Sequence, residues 1–311
     1  MSYRKALPQL DGSVLLSDGG METTLLFVDG FDLPCFASFP LLERDEGRAA
    51  LTRYFEPYLD IARRHSTGFV LEAATWRANP AWGEQLGYSL DDLAEANRRS
   101  IRFVEEIRGR EERPGRPFVI SAPIGPEGDA YDPASQMTAD EAEAFHSWQV
   151  GVLAETAADL VAGFTLSYVE EAIGIVRAAV AADLPTAISF TVETDGRLPS
   201  GQPLAEAIAQ VDGETDGAAS YFMVNCAHPS HFLPTLDSPG PWQRVLGVRA
   251  NASVKSHAEL DESEALDDGD PAELADGYLA IRARLPHLTV LGGCCGTDHR
   301  HVGAVADAWL D

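Results

Sequence analysis

Three of the four cysteines lie in two short segments in the last third of the chain. Cys226 belongs to VNCAH (224–228), and Cys294 and Cys295 are adjacent within GGCCGT (292–297). Three thiolates suit Zn²⁺, which then keeps one tetrahedral position open for water or substrate, as in catalytic zinc sites. The residue types therefore predict a zinc centre built from Cys226, Cys294 and Cys295.

Adjacent cysteines in a regular strand would point to opposite faces and could not share an ion. The flanking Gly292, Gly293 and Gly296 allow the backbone to leave β geometry, so both sulfurs can face one metal. Two alternatives remain open. Free cysteine packs well in cores, which is the interpretation we adopt for Cys35. The second alternative is a redox role for the adjacent Cys294 and Cys295, although these two residues lack the C-x-x-C spacing of thioredoxin-like enzymes.

Zinc with three thiolates is electron-rich and therefore a weak Lewis acid for hydrolysis. It suits an incoming thiol better, because a coordinated thiol is deprotonated at neutral pH. The predicted chemistry is nucleophilic attack by a substrate sulfur on an alkyl group.

The chain repeats a unit of one apolar run followed by one amphipathic stretch. Near-continuous apolar runs are typical of strands buried on both faces of a parallel sheet. Eight such units with right-handed crossovers predict one (β/α)8 TIM barrel domain spanning residues 1–311. An open dinucleotide-binding sheet is the competitor, but Asp18-Gly19-Gly20 lacks the G-x-G-x-x-G spacing. The runs are 14–19, 69–76, 117–124, 159–166, 185–192, 221–226, 242–249 and 288–293.

The helical stretches follow these runs, with N-terminal capping signals at Ser89 and Thr138. They are 46–65, 89–109, 139–157, 169–182, 204–212, 228–236, 271–284 and 299–310. In this fold the reactive groups lie where strands end and the following loops begin. Cys226 ends the sixth run and the cysteine pair ends the eighth, so both segments are expected at the same end of the barrel.

Composition excludes some classes of partner. The chain has 311 residues with 23 Lys+Arg against 49 Asp+Glu, a net charge of −26, which repels nucleic acids and anionic membrane surfaces. No apolar run is long enough for a transmembrane helix, and the N-terminus does not resemble a secretory signal. We expect a cytoplasmic protein that acts on small molecules; the sequence indicates no oligomeric state.

The chain resembles the homocysteine S-methyltransferases, which include betaine–homocysteine methyltransferase and the homocysteine-binding module of methionine synthase. Its motifs are Asn225-Cys226, GGCCGT (292–297) and Asp18-Gly19-Gly20, and the similarity runs from there to His301. The resemblance implies a (β/α)8 barrel, Zn²⁺ on the three cysteines, and a homocysteine thiolate as the fourth ligand that is methylated to methionine. It also implies that Asp18 binds the substrate amino group, with Thr165 and Asn225 in the substrate site.

The sequence departs from the family at the end of the fourth strand, where an acid usually precedes the threonine. Here Phe164 precedes Thr165. Losing a carboxylate partner for a buried ammonium should cost about 2–3 kcal/mol if nothing replaces it. We expect Glu193, at the end of the fifth strand, to substitute, and Glu72 is the second candidate. Glu193 has an alternative interpretation as a solvated loop residue.

The methyl donor is less defined. A small sulfonium or quaternary ammonium donor fits the predicted chemistry, and family resemblance favours S-methylmethionine or S-adenosylmethionine over betaine. Trp76, Trp82 and Tyr88 follow the second strand and could form an aromatic cage for such a cation or simply pack the loop. The alternative functions are a zinc- or thiol-binding barrel with another acceptor or without transferase activity, and a redox protein.

Overall fold

Eight parallel strands close into one barrel, each paired with its neighbours in chain order, and the last pairs with the first. The computed structural model describes residues 2–131, 135–263 and 265–310. The predicted (β/α)8 barrel is confirmed. The strands are β1 Leu15–Leu16, β2 Gly68–Glu72, β3 Phe118–Ile124, β4 Leu160–Leu166, β5 Thr186–Phe190, β6 Tyr221–Asn225, β7 Val245–Ala250 and β8 Val290–Gly293.

Each of the eight apolar runs overlaps one strand, and nearly all strand residues are buried because helices cover the outer face. Several strand bounds differ from prediction, most of all those of β1, β2 and β7. β2 ends at Glu72, so residues 73–76 belong to the following loop. β7 begins only at Val245, because residues 242–244 form a 3₁₀ turn.

The helices surround the barrel. The predicted caps are present: the Ser89 side chain accepts from the amide of Asp92, and Thr138 forms a capping box with Glu141. The predicted stretch 228–236 is one short α-helix followed by a 3₁₀ turn. The sequence prediction missed three short helices, at Met21–Thr23, Pro80–Gln85 and His257–Asp261. The helices are α1 Met21–Thr23, α2 Asp45–Arg64, α3 Pro80–Gln85, α4 Leu90–Glu111, α5 Ala139–Ala154, α6 Val169–Ala181, α7 Leu204–Glu214, α8 Pro229–Phe232, α9 His257–Asp261, α10 Pro271–Arg282 and α11 His299–Leu310.

Apolar side chains fill the inside of the barrel towards the amino ends of its strands, among them Leu15, Val70, Val119, Leu160 and Val290. Each such side chain contributes about 1.5–3 kcal/mol on burial. Because the amino-terminal half of the barrel is filled, a cavity can form only at the carboxyl ends of the strands. Across the described residues, none of the helices is both long and apolar enough to span a membrane.

Candidate functional site

A cavity of about 470 Å³ opens at the carboxyl ends of the strands. This volume suits a small-molecule site. Residues from seven strand ends line it: Asp18–Thr23 after β1, Glu72–Ala73 and Trp76–Arg77 at the end of β2, Pro123 and Asp129–Tyr131 at the end of β3, Phe164–Thr165 in β4, Asn225–Cys226 at the end of β6, Arg249 and Asn251 at the end of β7, and Cys294–Gly296 after β8. The predicted convergence of the two cysteine segments is therefore observed.

The three cysteines form one cluster, since their sulfur atoms all lie within 4.8 Å of one another. Tetrahedral zinc with Zn–S near 2.3 Å separates its sulfurs by about 3.8 Å. The Cys226 and Cys295 sulfurs are 3.7 Å apart, which matches, and those of Cys226 and Cys294 are 2.6 Å apart. The second pair would have to open by about 1 Å to share a zinc ion. The donor set and spacing fit a thiophilic divalent metal.

Hydrogen bonds among the three cysteines shift the pKa values of their thiols in opposite directions. Bonds from Cys294 and Cys295 hold the pKa of the Cys226 thiol well below its usual range. The same bonding to Cys226 raises the pKa of Cys294 to about 12, and that of Cys295 also rises well above its ordinary value. Cys226 is therefore the cysteine of this cluster that loses its proton most easily, and a divalent cation must displace whatever protons remain on the thiols.

Cys226 reaches the cluster because its own backbone is left-handed, with φ of 53°. Such a conformation in a non-glycine residue is costly and persists only where surrounding contacts fix it. Its carbonyl accepts hydrogen bonds from the Asn251 side chain at 3.1 Å and from the Thr191 hydroxyl at 3.3 Å. The carboxyl end of β6 is thus held by hydrogen bonds from the loops that follow β5 and β7.

We expected the three glycines around Cys294 and Cys295 to let the backbone leave β geometry, and only one of them does so. Only Gly296 has a positive φ, of 77°, whereas Gly292 and Gly293 lie in β8. A Cβ on Gly293 would collide with the Thr297 side chain, and one on Gly20 would lie 2.7 Å from the Cys294 carbonyl oxygen. Close packing of the β1 and β8 loops, more than backbone freedom, therefore requires glycine here.

Asn225 connects three strand ends beside the cysteines. Its Oδ1 accepts from the Thr165 amide at 3.0 Å and from the Ser189 hydroxyl at 2.6 Å, and its Nδ2 donates to Thr165 Oγ1 at 2.8 Å. Thr165 itself is left-handed, with φ of 63°. Both predicted residues line the cavity, and Asn225 holds Thr165 in its strained conformation.

Asp18 lies in the cavity wall but is already paired. Its carboxylate accepts from Arg249 Nη1 at 2.7 Å and from the Tyr54 hydroxyl at 2.9 Å, and the side chain is fully buried. Arg249 also lies 3.8 Å from Glu72 Oε1, and its guanidinium stands 5.6 Å from the centre of the Phe164 ring. Although burial opposes it, the two carboxylates raise the pKa of Arg249 above its ordinary value.

Residues 15–309 match the homocysteine S-methyltransferase family. The chain belongs to that family. Homocysteine S-methyltransferase 4 of Zea mays is 28% identical over 96% of this chain and 90% of its own length. Homocysteine S-methyltransferase YbgG of Bacillus subtilis strain 168 is 27% identical over 72% of this chain and 75% of its own length. Among solved structures, the metallated homocysteine methyltransferase MmuM of Escherichia coli has a TM-score of 0.73 at 20% identity, covering 95% of this chain and 96% of that one.

In this member of the family, Phe164 lines the cavity at the position where the family usually has an acid, and Glu193 is not among the residues that line it. Glu193 begins a tight turn after β5, in which its carbonyl accepts from the Gly196 amide at 2.9 Å. Its charge acts on His257, opposing the burial that lowers the pKa of that imidazole. Glu72 does line the cavity, and burial raises its pKa to about 7. The structure therefore favours the second candidate over the first.

Among the cavity residues that escaped the sequence analysis, three contact the predicted site or one another. Tyr131, after β3, stacks on His257 with ring centres 4.0 Å apart, and its hydroxyl hydrogen-bonds to Cys226. Tyr131 lies in a loop and His257 begins the short helix α9, so periodicity gave no signal for either residue. Arg249 offered a signal that was overlooked, since it is a charged residue inside an apolar run at a strand end.

The proposed aromatic cage does not form. Trp76 and Trp82 instead flank Arg77, whose guanidinium carbon lies 4.0 Å and 3.8 Å from their ring centres. Tyr88 packs edge-on against Phe39 at 5.2 Å. The space between the two indoles is therefore filled by a cation of the protein itself.

Proposed function

We propose that this protein transfers a methyl group to the thiol of homocysteine, forming methionine, with zinc held by Cys226, Cys294 and Cys295. The observation that carries the proposal is the convergence of these three thiols in the main cavity of a chain of this family. Two relatives named as homocysteine S-methyltransferases support the acceptor. The metallated form of the Escherichia coli neighbour supports a metal in the fold.

Zinc is the metal that the donor set favours, because three cysteine thiolates are soft ligands and leave one tetrahedral position open. When bound, the ion would supply the positive charge that keeps an incoming thiol deprotonated at neutral pH. The chain fixes the approach of that thiol: Asn225 holds the β4 and β6 ends together, and its Nδ2 lies 3.8 Å from Cys294 Sγ.

The amino group of the acceptor binds beside Asp18, with Glu72 in the role that Phe164 cannot perform. Asp18, Glu72 and Arg249 together carry one net negative charge when both carboxylates are ionised. Among the described residues, Glu72 Oε2 is buried and accepts no hydrogen bond. A substrate ammonium would neutralise this charge and occupy that oxygen. Thr165 of β4 lines the same cavity, and its hydroxyl accepts a hydrogen bond from Asn225 Nδ2.

The second substrate is a small cationic methyl donor. A thiolate displaces a methyl group from a sulfonium or quaternary ammonium centre directly, so the donor leaves as a neutral thioether or amine. The four cysteines are all free thiols, which suits a reducing compartment such as the cytoplasm.

The test is methionine formation by the zinc-loaded protein from homocysteine and a panel of methyl donors. We expect one bound zinc per chain, activity with at least one donor, and loss of both zinc and activity in Cys295→Ser. A protein that binds zinc but methylates no thiol would be the non-catalytic barrel. A metal-free protein with a reducible Cys294–Cys295 disulfide would be the redox protein, and either outcome overturns the proposal.

The amine site is tested separately by equilibrium binding. Homocysteine is compared with 4-mercaptobutyrate, which lacks the amino group. Glu72→Gln should weaken homocysteine about 10- to 100-fold and leave 4-mercaptobutyrate unchanged, whereas Glu193→Gln, a matched control outside the cavity lining, should affect neither. If Glu193→Gln weakened homocysteine binding and Glu72→Gln did not, Glu193 and not Glu72 would be the residue that binds the amino group.

A further inference from the structure

Arg77 is a buried arginine that the reaction described above does not use. It lines the cavity, and only 8% of its surface is exposed. Buried arginines are normally paired with carboxylates, as Arg249 is with Asp18. Arg77 forms no ion pair with any of the described residues. Among the residues that the structure describes, the only hydrogen-bond acceptor for its guanidinium is the Gly128 carbonyl oxygen, 3.3 Å from Nη1.

The guanidinium is held in one orientation. Trp76 and Trp82 both lie against it, with ring centres 4.0 Å and 3.8 Å from the guanidinium carbon, which restricts the directions in which it can donate hydrogen bonds. Its Nε is buried and has no acceptor among the described residues. An unpaired donor of this kind costs free energy unless a ligand satisfies it.

The surroundings keep Arg77 charged. Burial lowers its pKa to about 10, and Asp129 and Glu22 oppose that shift from a distance. The side chain therefore carries a full positive charge at neutral pH. Arginine presents parallel N–H groups that match the two oxygens of a carboxylate.

We propose that Arg77, clamped between Trp76 and Trp82, binds the carboxylate of a substrate in this cavity. The inference rests on the proposed function, which brings two small molecules into the cavity, each of which can carry a carboxylate. The acceptor amino acid is one source and a zwitterionic methyl donor is the other.

The acceptor arm compares homocysteine with its decarboxylated analogue, 3-aminopropanethiol, by equilibrium binding to the zinc-loaded protein. Quenching of tryptophan fluorescence is a suitable signal because two indoles flank Arg77. If the acceptor carboxylate binds there, Arg77→Gln weakens homocysteine about 10- to 100-fold and leaves the analogue unchanged. Arg77→Lys, which keeps the charge but loses the planar fork, should fall between them.

The donor arm compares KM for dimethylsulfonioacetate and for trimethylsulfonium, which lacks a carboxylate. A donor carboxylate at Arg77 predicts that Arg77→Gln raises KM for the first donor only. Arg197→Gln is the matched control, since Arg197 is exposed on the loop after β5 and lies outside the cavity lining. It should behave as wild type in both arms.

Equal effects of Arg77→Gln on compounds with and without a carboxylate would indicate a purely structural role and overturn the proposal, as would no effect in either arm. If the wild-type protein neither binds homocysteine nor uses a donor, the proposed function fails instead. Butyrate then serves as the probe: binding that quenches tryptophan fluorescence in wild type but not in Arg77→Gln would support the carboxylate site, and its absence would refute it.

Discussion

The buried carboxyl group of Glu72 should make the stability of this protein depend on pH in a narrow window. Burial raises its pKa from the ordinary 4.5 to about 7, with Arg249 opposing the shift and Asp18 adding to it. Between these values the folded state keeps a proton that the unfolded state releases. The resulting stabilisation is fully present below about pH 4.5 and is lost as the pH rises through about 7. At about 1.4 kcal/mol per pH unit, the loss amounts to about 3 kcal/mol.

Glu72→Gln removes this dependence because an amide cannot ionise. The free energy of unfolding is measured by urea denaturation of the metal-free protein, for wild type and Glu72→Gln, from pH 5 to pH 8. We expect the variant to gain stability relative to wild type by about 2–3 kcal/mol across this range, while Glu193→Gln gives a nearly constant difference. A difference for Glu72→Gln that stays constant from pH 5 to pH 8 would show that the carboxyl group is ionised throughout and refute the reasoning.

Three further outcomes are expected. Cys294→Ser should lower bound zinc after dialysis from about one ion per chain to near zero, measured by atomic absorption. Asn225→Ala should reduce stability to urea by about 2–4 kcal/mol, because it leaves buried groups of Thr165 without partners; a loss below 0.5 kcal/mol would contradict this role. Gly20→Ala should cost about 1–3 kcal/mol by contact with the Cys294 carbonyl, whereas Gly109→Ala, where a Cβ meets nothing within 4 Å, should stabilise α4 slightly.

The barrel and the thiol cluster could be predicted because both follow from local patterns. Strands buried on both faces must be continuously apolar, so each of the eight runs marked a strand. Parallel strands then bring their carboxyl ends together, and this placed Cys226 beside Cys294 and Cys295 without any knowledge of loop conformation. The seventh run started too early, because its first three residues form a 3₁₀ turn and not part of the strand.

The carboxylates were harder to place because a strand end does not specify which way the next residue turns. Glu193 follows Phe190 by only three residues, yet a tight turn closed by Gly196 directs the chain away from the cavity. Glu72 is the last residue of β2 itself, so the alternation of side chains along the strand fixes it inside the barrel. Strand residues were therefore more predictable than residues just beyond the strand.

The pairing of Asp18 with Arg249 changes what the cavity can recognise. A free buried carboxylate would attract any ammonium group, but removing one partner of a buried ion pair costs several kcal/mol, so a ligand cannot take Asp18 away from Arg249. The ligand must add to the pair, and the unsatisfied Glu72 Oε2 is where a further donor gains most. Phe164 closes the other side of Arg249 with an apolar ring. If the acceptor amine binds beside Asp18 as proposed, we therefore expect its second carboxylate partner to come from β2, as Glu72, because β4 offers Phe164 at the family's acid position.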